Sequence, residues 1–374
     1  MLGDVLCLSH LRWGFVYQRP NHLMSRWARD HRVFFFEEPV FDADSPRIVV
    51  TEVLPNLRVV VPHLRPGEPR AEVLRRQREM LDGLCTQFRI RVPVIWFTTP
   101  MALAFSEHTS AKVVVYDCMD ELSAFDGAPP ELRLEERRLF ARADLVFTGG
   151  HSLYEAKRAH HGRVHVFPSS VDAAHFAASR TAGLREPEDQ RAVPRPRLGF
   201  FGVVDERMDR ELLALVAETK PDWQIVVIGP VVKIDPGSLP RRRNIHYLGP
   251  KRYSDLPSYI AGWDVAIVPF ARNEATRFIS PTKTLEYLAA GTPVVSTPIR
   301  DVVRPYGERG LVRVGAGKEF VRQVDLALRE RGTAAEASRR RAALDWVAST
   351  SWDRTWEGMR ALVSDAVAQR CSVA

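Results

Sequence analysis

Short apolar runs alternate with amphipathic segments along the first half of the sequence. Such runs, apolar at nearly every position, are typical of parallel strands that are buried on both faces of a sheet. They lie at 5–9, 33–36, 94–97, 113–116, 145–148 and 164–167. Helical patterns are predicted between them, at about 20–30, 69–89, 129–141 and 151–160. The alternation predicts a βαβα domain over residues 1–176.

The same alternation resumes after residue 196 and predicts a second domain over 197–350. Its apolar runs lie at 197–201, 224–228, 265–269, 293–297 and 311–314. The stretch 177–196 is rich in Pro, Gly, Arg and Glu and has no periodicity, so we expect a linker there. In the last segment, 351–374, Trp352, Trp356, Met359, Val363 and Val367 recur at helical spacing. This segment should be an amphipathic helix that covers an apolar surface.

Two doubly wound α/β domains define the expected fold class. Open sheets of this kind bind ligands at the carboxyl ends of their strands. We therefore expect the two domains to face a cleft and the functional site to lie in it.

Composition supports a folded, cytoplasmic protein. Of the 374 residues, 45% are hydrophobic and 26% are charged, which excludes a largely disordered chain. A net charge of +7 and no recognised binding module argue against nucleic acid as a partner. The four cysteines form no CxxC pair, which suits a reducing compartment. No signal peptide and no apolar run of membrane-spanning length is evident.

The string SPTKTLEYLAAGTPVVST, residues 280–297, carries the most chemistry. Ser280 should cap a helix over 281–290, and Gly291 should end it. Lys283 then falls in the first turn, where the helix dipole favours negative charge, so a bound anion would resolve the conflict. Glu286 follows one turn later on the same face and could accept hydrogen bonds from a ribose diol. An anion site beside a diol acceptor describes a nucleoside diphosphate; the alternative is a capped surface helix with a solvated Lys283 and Glu286.

This string resembles the donor-binding helix of the bacterial GT-B glycosyltransferases that are commonly described as family 1 or family 4. Three further strings are similar to that family: SHLRWGFVYQRPNHLMSRWA, VVYDCMDELSAF and FPSSVDAAHF. The resemblance implies two Rossmann-like domains, with the C-terminal helix returning to the N-terminal one. It also implies a nucleotide-sugar donor whose ribose is held by Glu286 and whose diphosphate is held by residues ahead of it, Ser280, Thr282 and Lys283.

Two departures from the family pattern shape the expected mechanism. Many retaining members carry a second glutamate eight positions before the ribose-binding one, and that position is Phe278 here; Glu274 is out of register. The Ser280–Lys283 arrangement is instead similar to that of an inverting glucuronosyltransferase group that makes exopolysaccharide. The basic pair expected after the first C-domain strand is represented by Arg207 and Arg210, beyond Gly202, where backbone could approach phosphate.

Candidates for a base that deprotonates the acceptor hydroxyl lie in the N-terminal domain. Asp117 and Asp120 follow the strand at 113–116, and Asp120 matches the position of the base in that inverting group. His10 ends the first strand and is a second candidate, since neutral imidazole is a usable base. A helix-capping role for Asp120 and a loop role for His10 are the alternatives.

Three more residues are predicted to face the acceptor. Trp13 and Arg19 lie on and after the first loop, and His151 follows the Gly149–Gly150 turn. Ordinary packing of Trp13 and a tight strand-to-helix turn at the glycines explain the same sequence without any substrate.

A lone DxD motif, Asp42 and Asp44, is the metal motif of the other major glycosyltransferase fold, and we predict that no metal or other cofactor is used. The arginine-rich amphipathic helix near 69–91 suggests either a solvated face or contact with an anionic membrane at its inner surface. The sequence thus predicts a metal-independent glycosyltransferase with a nucleotide-sugar donor and a hydroxyl acceptor. Alternatives are a sugar-nucleotide epimerase on the same fold and a non-catalytic nucleotide-sugar-binding subunit.

Overall fold

The computed structural model describes residues 2–373, so Met1 and Ala374, the outer ends of the predicted segments 1–176 and 351–374, lie outside the described residues. Compactness divides the chain into two units. Unit 1 comprises 1–123, 127–167 and 352–374, and unit 2 comprises 124–126 and 168–351.

The strands of unit 1 form one nine-stranded sheet. They are β1 Val5–Ser9, β2 Val33–Glu37, β3 Val40–Phe41, β4 Arg47–Leu54, β5 Leu57–Leu64, β6 Val94–Phe97, β7 Val113–Cys118, β8 Leu145–Thr148 and β9 Val164–Val166. Their order is β3-β5-β2-β1-β6-β7-β8-β9, with β4 antiparallel to β5. The six predicted strands are confirmed. The apolar runs of β1, β2, β6, β7 and β8 are buried on both faces, whereas β9 at the end of the sheet is only half-buried.

The strands of unit 2 form a six-stranded parallel sheet. They are β10 Arg197–Phe201, β11 Gln224–Ile228, β12 Ile245–Gly249, β13 Val265–Val268, β14 Val294–Ser296 and β15 Arg313–Val314. The order β12-β11-β10-β13-β14-β15 is the 3-2-1-4-5-6 order of dinucleotide-binding folds. Strand order reverses between β10 and β13, which is where such sheets bind ligands.

The helices complete both units. They are α1 Arg19–Trp27, α2 Arg70–Phe88, α3 Leu103–Ser106, α4 Leu132–Arg142, α5 His151–Lys157, α6 Ala173–Ala177, α7 Glu188–Arg191, α8 Arg210–Thr219, α9 Leu256–Ile260, α10 Thr282–Ala290, α11 Arg300–Val302, α12 Lys318–Arg329, α13 Ala334–Ala348 and α14 Trp352–Val373. No helix within residues 2–373 is long and apolar enough to cross a membrane.

The segment 177–196, which we expected to be a linker, is part of unit 2. Gln190 in α7 is fully buried, where its amide donates to the Tyr259 carbonyl and accepts from Trp263 Nε1 at 2.8 Å. Glu186 forms an ion pair with Arg197 at the start of β10. The Pro, Gly and charge content of 177–196 suggested an exposed linker. The contacts that bury it come from distant positions, so they are not visible in its local sequence.

The C-terminal helix α14 belongs to unit 1, as the family resemblance implies. Trp352, Trp356, Met359 and Val363 are buried in the same apolar cluster as Trp27 of α1. At its start, the Asp353 carboxylate accepts from two arginines of unit 1: Arg26 at 3.0 Å and Arg29 at 2.7 Å. The helix thus joins the core of unit 1 by an apolar stripe that is flanked by ion pairs.

Candidate functional site

The N-terminus of α10 lies at the reversal point of the unit 2 sheet. The helix begins at Thr282, and Pro281 occupies the N-cap position without a side-chain cap. Ser280 therefore does not cap the helix, contrary to our expectation; its carbonyl accepts from the Ser169 hydroxyl at 2.6 Å. The helix ends at Gly291 with φ 74°, as predicted. Helix N–H groups that no side chain caps are available to an anion.

Lys283 extends from the first turn of α10 over Gly202 at the end of β10. A Cβ on Gly202 would lie 2.6 Å from Lys283 Cε, and Gly202 has φ 145°, a conformation that favours glycine. The two predicted donor-binding residues are therefore adjacent. Lys283 Nζ also donates to the Thr282 hydroxyl at 3.4 Å, which groups a third predicted residue with them.

Glu286 is a nearly buried acid, 7% exposed, whose Oε2 has no hydrogen-bond partner among residues 2–373. Burial raises its pKa to about 7, and the charge of Lys283 opposes that rise. A buried carboxylate oxygen without a donor is unfavourable, and native proteins almost always satisfy such groups. Hydroxyl groups of a ligand would supply the missing donors.

Tyr287 holds α10 on the sheet, a role that sequence analysis missed. Its fully buried hydroxyl accepts from the Phe201 N–H at 3.0 Å, directly before Gly202. The burial of Tyr287 within LEYLAA was foreseeable from the helical period, but its partner in β10 was not. The bond fixes the distance between the Gly202 backbone and the first turn of α10.

Arg207 and Arg210 both follow Gly202, but their side chains are used differently. The Arg207 guanidinium forms a bidentate pair with Asp205, at 2.6 and 2.9 Å, which offsets its charge. Arg210 is the first residue of α8 and donates to the Ser238 hydroxyl at 2.6 Å. Glu206, which directly precedes Arg207, has both carboxylate oxygens buried without a hydrogen-bond partner among the residues the structure describes. Neither acid was anticipated from the sequence.

In unit 1, Asp117 and Arg19 form a buried ion pair. Asp117 is fully buried and accepts from Arg19 at 2.7 and 3.0 Å, and the Arg19 guanidinium also donates to the Phe167 carbonyl. Arg19 is only 4% exposed. This corrects two expectations: Asp117 is not placed as a base, and Arg19 holds unit 1 together instead of facing an acceptor.

Asp120 lies on the loop after β7, and that loop is fastened from both ends. The Cys118 thiol donates to the Asp120 carbonyl at 3.7 Å. On the other side, Lys157 forms ion pairs with Glu121 at 2.7 Å and with Glu136 at 2.8 Å. Asp120 itself is partly exposed, between these two anchors.

His151 is exposed at the start of α5, next to the Asp120 loop. Gly149 lies so close to Met119 that a Cβ would be 2.3 Å from the Met119 carbonyl oxygen. The two loops therefore touch at the carboxyl ends of β7 and β8. The glycine turn has a packing reason, which leaves the predicted acceptor contact of His151 as a prediction.

His10 and Trp13 lie on the loop after β1. His10 Nδ1 is hydrogen-bonded to the Thr98 hydroxyl at 3.3 Å, at the end of β6. Trp13 packs edge-on against Phe35 with ring centroids 5.2 Å apart, and its backbone N–H donates to Glu37 Oε1 at 2.8 Å. Packing therefore explains Trp13, whereas His10 stays partly exposed at the sheet edge.

The two surface motifs that we considered have local partners. Asp42 is paired with His63 at 2.6 Å, and the Asp44 carbonyl accepts from Arg65. In α2, Arg75 and Arg76 both form ion pairs with Glu72 of the same helix. The acidic partners reduce the charge that this helix presents to a membrane surface.

The fold is that of GT-B glycosyltransferases. Sucrose-phosphate synthase from Thermosynechococcus elongatus matches with a TM-score of 0.73 at 15% identity, covering 98% of this chain and 99% of that chain. A structure titled "Trehalose-6-phosphate from E. coli bound with UDP-2-fluoro glucose" matches with a TM-score of 0.70 at 12% identity, covering 97% and 99%.

Sequence similarity agrees with the fold. Residues 195–330 match the family model Glycosyl transferases group 1, which includes β10, α8 and all of α10. Over 223 residues, 54% of this chain, the sequence is 28% identical to "Putative teichuronic acid biosynthesis glycosyltransferase TuaH" of Bacillus subtilis (strain 168). The match covers 55% of that relative, so the chain spans about half the length of the curated relative that it resembles.

Proposed function

We propose that this protein is a glycosyltransferase that moves a sugar from a nucleoside diphosphate sugar to a hydroxyl acceptor without a metal ion. The observation that carries the proposal is the grouping of Gly202, Lys283 and the unsatisfied Glu286 at the reversal point of the unit 2 sheet. The family match over 195–330 supports it, since it covers all three residues. A solved structure of this fold whose title names UDP-2-fluoro glucose makes UDP the first nucleotide to test.

The donor would be bound by complementary charge and hydrogen bonds. Lys283 and the uncapped N–H groups of α10 face the diphosphate, and Glu286 accepts from the two ribose hydroxyls. Negative charge develops on the diphosphate as the bond from the anomeric carbon to its oxygen breaks. Positive groups that are already in place stabilise that charge without reorganisation.

On the acceptor side, a base removes the hydroxyl proton as the new bond to the anomeric carbon forms. Asp120 is our first candidate, since its loop is held by Cys118 and Lys157 while its side chain is partly exposed. His10 is the second candidate. The acceptor oxygen then attacks the anomeric carbon opposite the leaving diphosphate, so the product has the inverted anomeric configuration.

The test is nucleotide release measured with and without acceptor. We expect purified protein to release UDP from UDP-sugars only when an acceptor alcohol is present, and to do so in EDTA. Glu286→Ala should weaken UDP binding by roughly 1–3 kcal/mol, the usual cost of losing hydrogen bonds to a charged group. Glu274→Ala, an exposed acid outside this group, is the matched control. Release that needs no acceptor, or equal UDP affinity for both variants, would contradict the proposal.

A further inference from the structure

A pocket of about 250 Å³ opens within unit 1, at the carboxyl ends of β1, β2 and β6. It is bounded by the ends of β1 and β2, by the first turns of α2, and by the short helical turn Pro100–Ala102 that follows β6. The strand order of unit 1 reverses between β1 and β6. The pocket therefore lies at the point where a doubly wound sheet forms a ligand crevice.

The surface of this pocket is mainly apolar. Phe36 and Phe105 are buried beneath it, with ring centroids 5.7 Å apart, and Leu74 of α2 forms one wall. Phe41 lies at the edge and is 48% exposed. An apolar cavity of about 150 Å³ is large enough for benzene. A pocket of this size accommodates a substituted ring or a short alkyl chain.

Gln77 is the polar exception. It lines the pocket, is only 6% exposed, and its amide makes no hydrogen bond to any of residues 2–373. Neighbouring polar groups are already used: Glu37 accepts from Arg12 and from the Trp13 N–H, and the Thr99 hydroxyl accepts from the Met101 N–H. The amide is not enclosed by protein but faces the open space of the pocket, so a polar group of a ligand bound there would be its hydrogen-bond partner.

The pocket also adjoins His10. Ser9, which lines the pocket, directly precedes His10, and the His10 ring is hydrogen-bonded to Thr98, next to the pocket residue Thr99. A molecule that fills the pocket would therefore extend its polar part toward a residue that can accept a proton.

We propose that this Gln77 pocket takes an apolar substituent of the acceptor, an alkyl or aryl group, and that the Gln77 amide donates to the oxygen that links this group to the rest of the molecule. The enzyme would then prefer acceptors that carry such a group over free sugars and their methyl glycosides. The assignment to an acceptor rests on the proposed function, whereas binding of the apolar group does not.

The experiment measures binding and transfer separately on the full chain. Saturation-transfer NMR compares phenyl and hexyl β-D-glucoside with methyl β-D-glucoside, with no nucleotide present. Leu74→Trp fills the pocket from a half-buried wall, Gln77→Leu removes the amide, and Leu134→Trp on the exposed face of α4 is the control. We expect the phenyl or hexyl glucoside to bind at least tenfold more tightly than the methyl glucoside. Leu74→Trp should remove that preference, and Gln77→Leu should weaken binding about threefold to tenfold.

In transfer assays, Leu74→Trp should raise the acceptor KM and leave kcat and UDP affinity near those of Leu134→Trp. Equal binding of all three glucosides, or equal behaviour of the two tryptophan variants, overturns the proposal. Binding of the apolar glucosides that neither yields product nor competes with an acceptor overturns the acceptor assignment. If the wild-type protein does not bind UDP, the proposed function is refuted. The glucoside titrations contain no nucleotide, so they test the pocket independently of that result.

Discussion

Glu286 affects both the proposed binding of the donor and the stability of the folded protein. The pKa of Glu286 is raised because its carboxylate is buried and Oε2 has no hydrogen-bond donor. The positive charge of nearby Lys283 offsets only part of that rise. A ligand that donates to Oε2 opposes the rise, so binding energy and the protonation of one side chain are linked.

The unliganded protein should lose stability as pH rises toward neutrality because of Glu286. Its pKa is about 7 when folded and near the model-peptide value of 4.5 when unfolded, so the folded state binds the proton more tightly. The resulting stabilisation is complete below pH 4.5 and is lost as pH rises through 7, on the order of 3 kcal/mol in total. Urea unfolding of wild type and Glu286→Gln from pH 4.5 to 8 should show the difference between them changing with pH. Parallel curves would contradict this prediction.

Asp120→Asn should leave UDP binding intact and reduce turnover by about 10²–10⁴, the range expected for loss of a general base. Proton NMR of the first product should show the anomeric configuration inverted from that of the donor. Asp126→Asn, an exposed acid six positions later, is the control. Retained configuration together with near-normal turnover of Asp120→Asn would show that neither part holds, and the same assay on His10→Gln tests the second candidate.

At the scale of elements, α10 works as a unit with β10. The helix brings Lys283 and Glu286 to the site, and Tyr287 sets their distance from Gly202 through the Phe201 N–H. A helix of nine residues is marginal by itself, so this tertiary bond matters for where its first turn lies.

Tyr287→Phe should therefore destabilise unit 2 by about 1–3 kcal/mol, because it leaves the buried Phe201 N–H without its partner. Chemical denaturation measures the loss, and UDP affinity should fall with it as the first turn of α10 shifts. Tyr154→Phe is the comparison, since that hydroxyl has no hydrogen bond to residues 2–373. Equal stabilities of the two variants would count against a fastening role for Tyr287.

Sequence patterns predicted the elements whose buried residues form a regular local pattern of apolar positions. The runs of β1, β2 and β10 are buried on both faces and were located directly. The hairpin of β4 and β5 was missed because β4 is an exposed edge strand whose apolar positions are interrupted by polar ones. Ser280 was assigned as a cap from residue type, but the helix starts at Thr282 and Ser280 is bonded to Ser169, a contact across 111 positions.

The residues of the candidate site also fall into those that local sequence predicts and those that it does not. Lys283, Glu286 and Gly202 were predictable because glycine flexibility and charge at a helix start have local reasons. Arg19, Asp117 and Gln77 were not, since an ion pair between residues 19 and 117 and an unsatisfied amide facing a pocket exist only once the sheet has formed.

At the scale of the whole molecule, unit 1 is built from both ends of the described chain. Met359 of α14 is completely buried among side chains of α1 and the unit 1 sheet. Met359→Ala should cost about 2–5 kcal/mol of unit 1 stability, from lost burial and the cavity left behind. Hydrogen exchange should show the loss in β1 and β7 and not in unit 2. Glu357→Ala, two positions earlier in α14 and exposed, serves as the control. Hydrogen exchange that speeds up equally in both units would contradict the assignment of α14 to unit 1.

The membership of α14 in unit 1 also affects when unit 1 can complete its folding during synthesis. Residues 168–351 form nearly all of unit 2 and are translated before α14. Domains generally fold as units, and the N-terminal one is usually the first. Unit 1 departs from that order, because β1 and the buried Trp27 of α1 await a helix encoded after residue 351. A nascent chain stalled at that codon would therefore expose the apolar surface of unit 1 to chaperones.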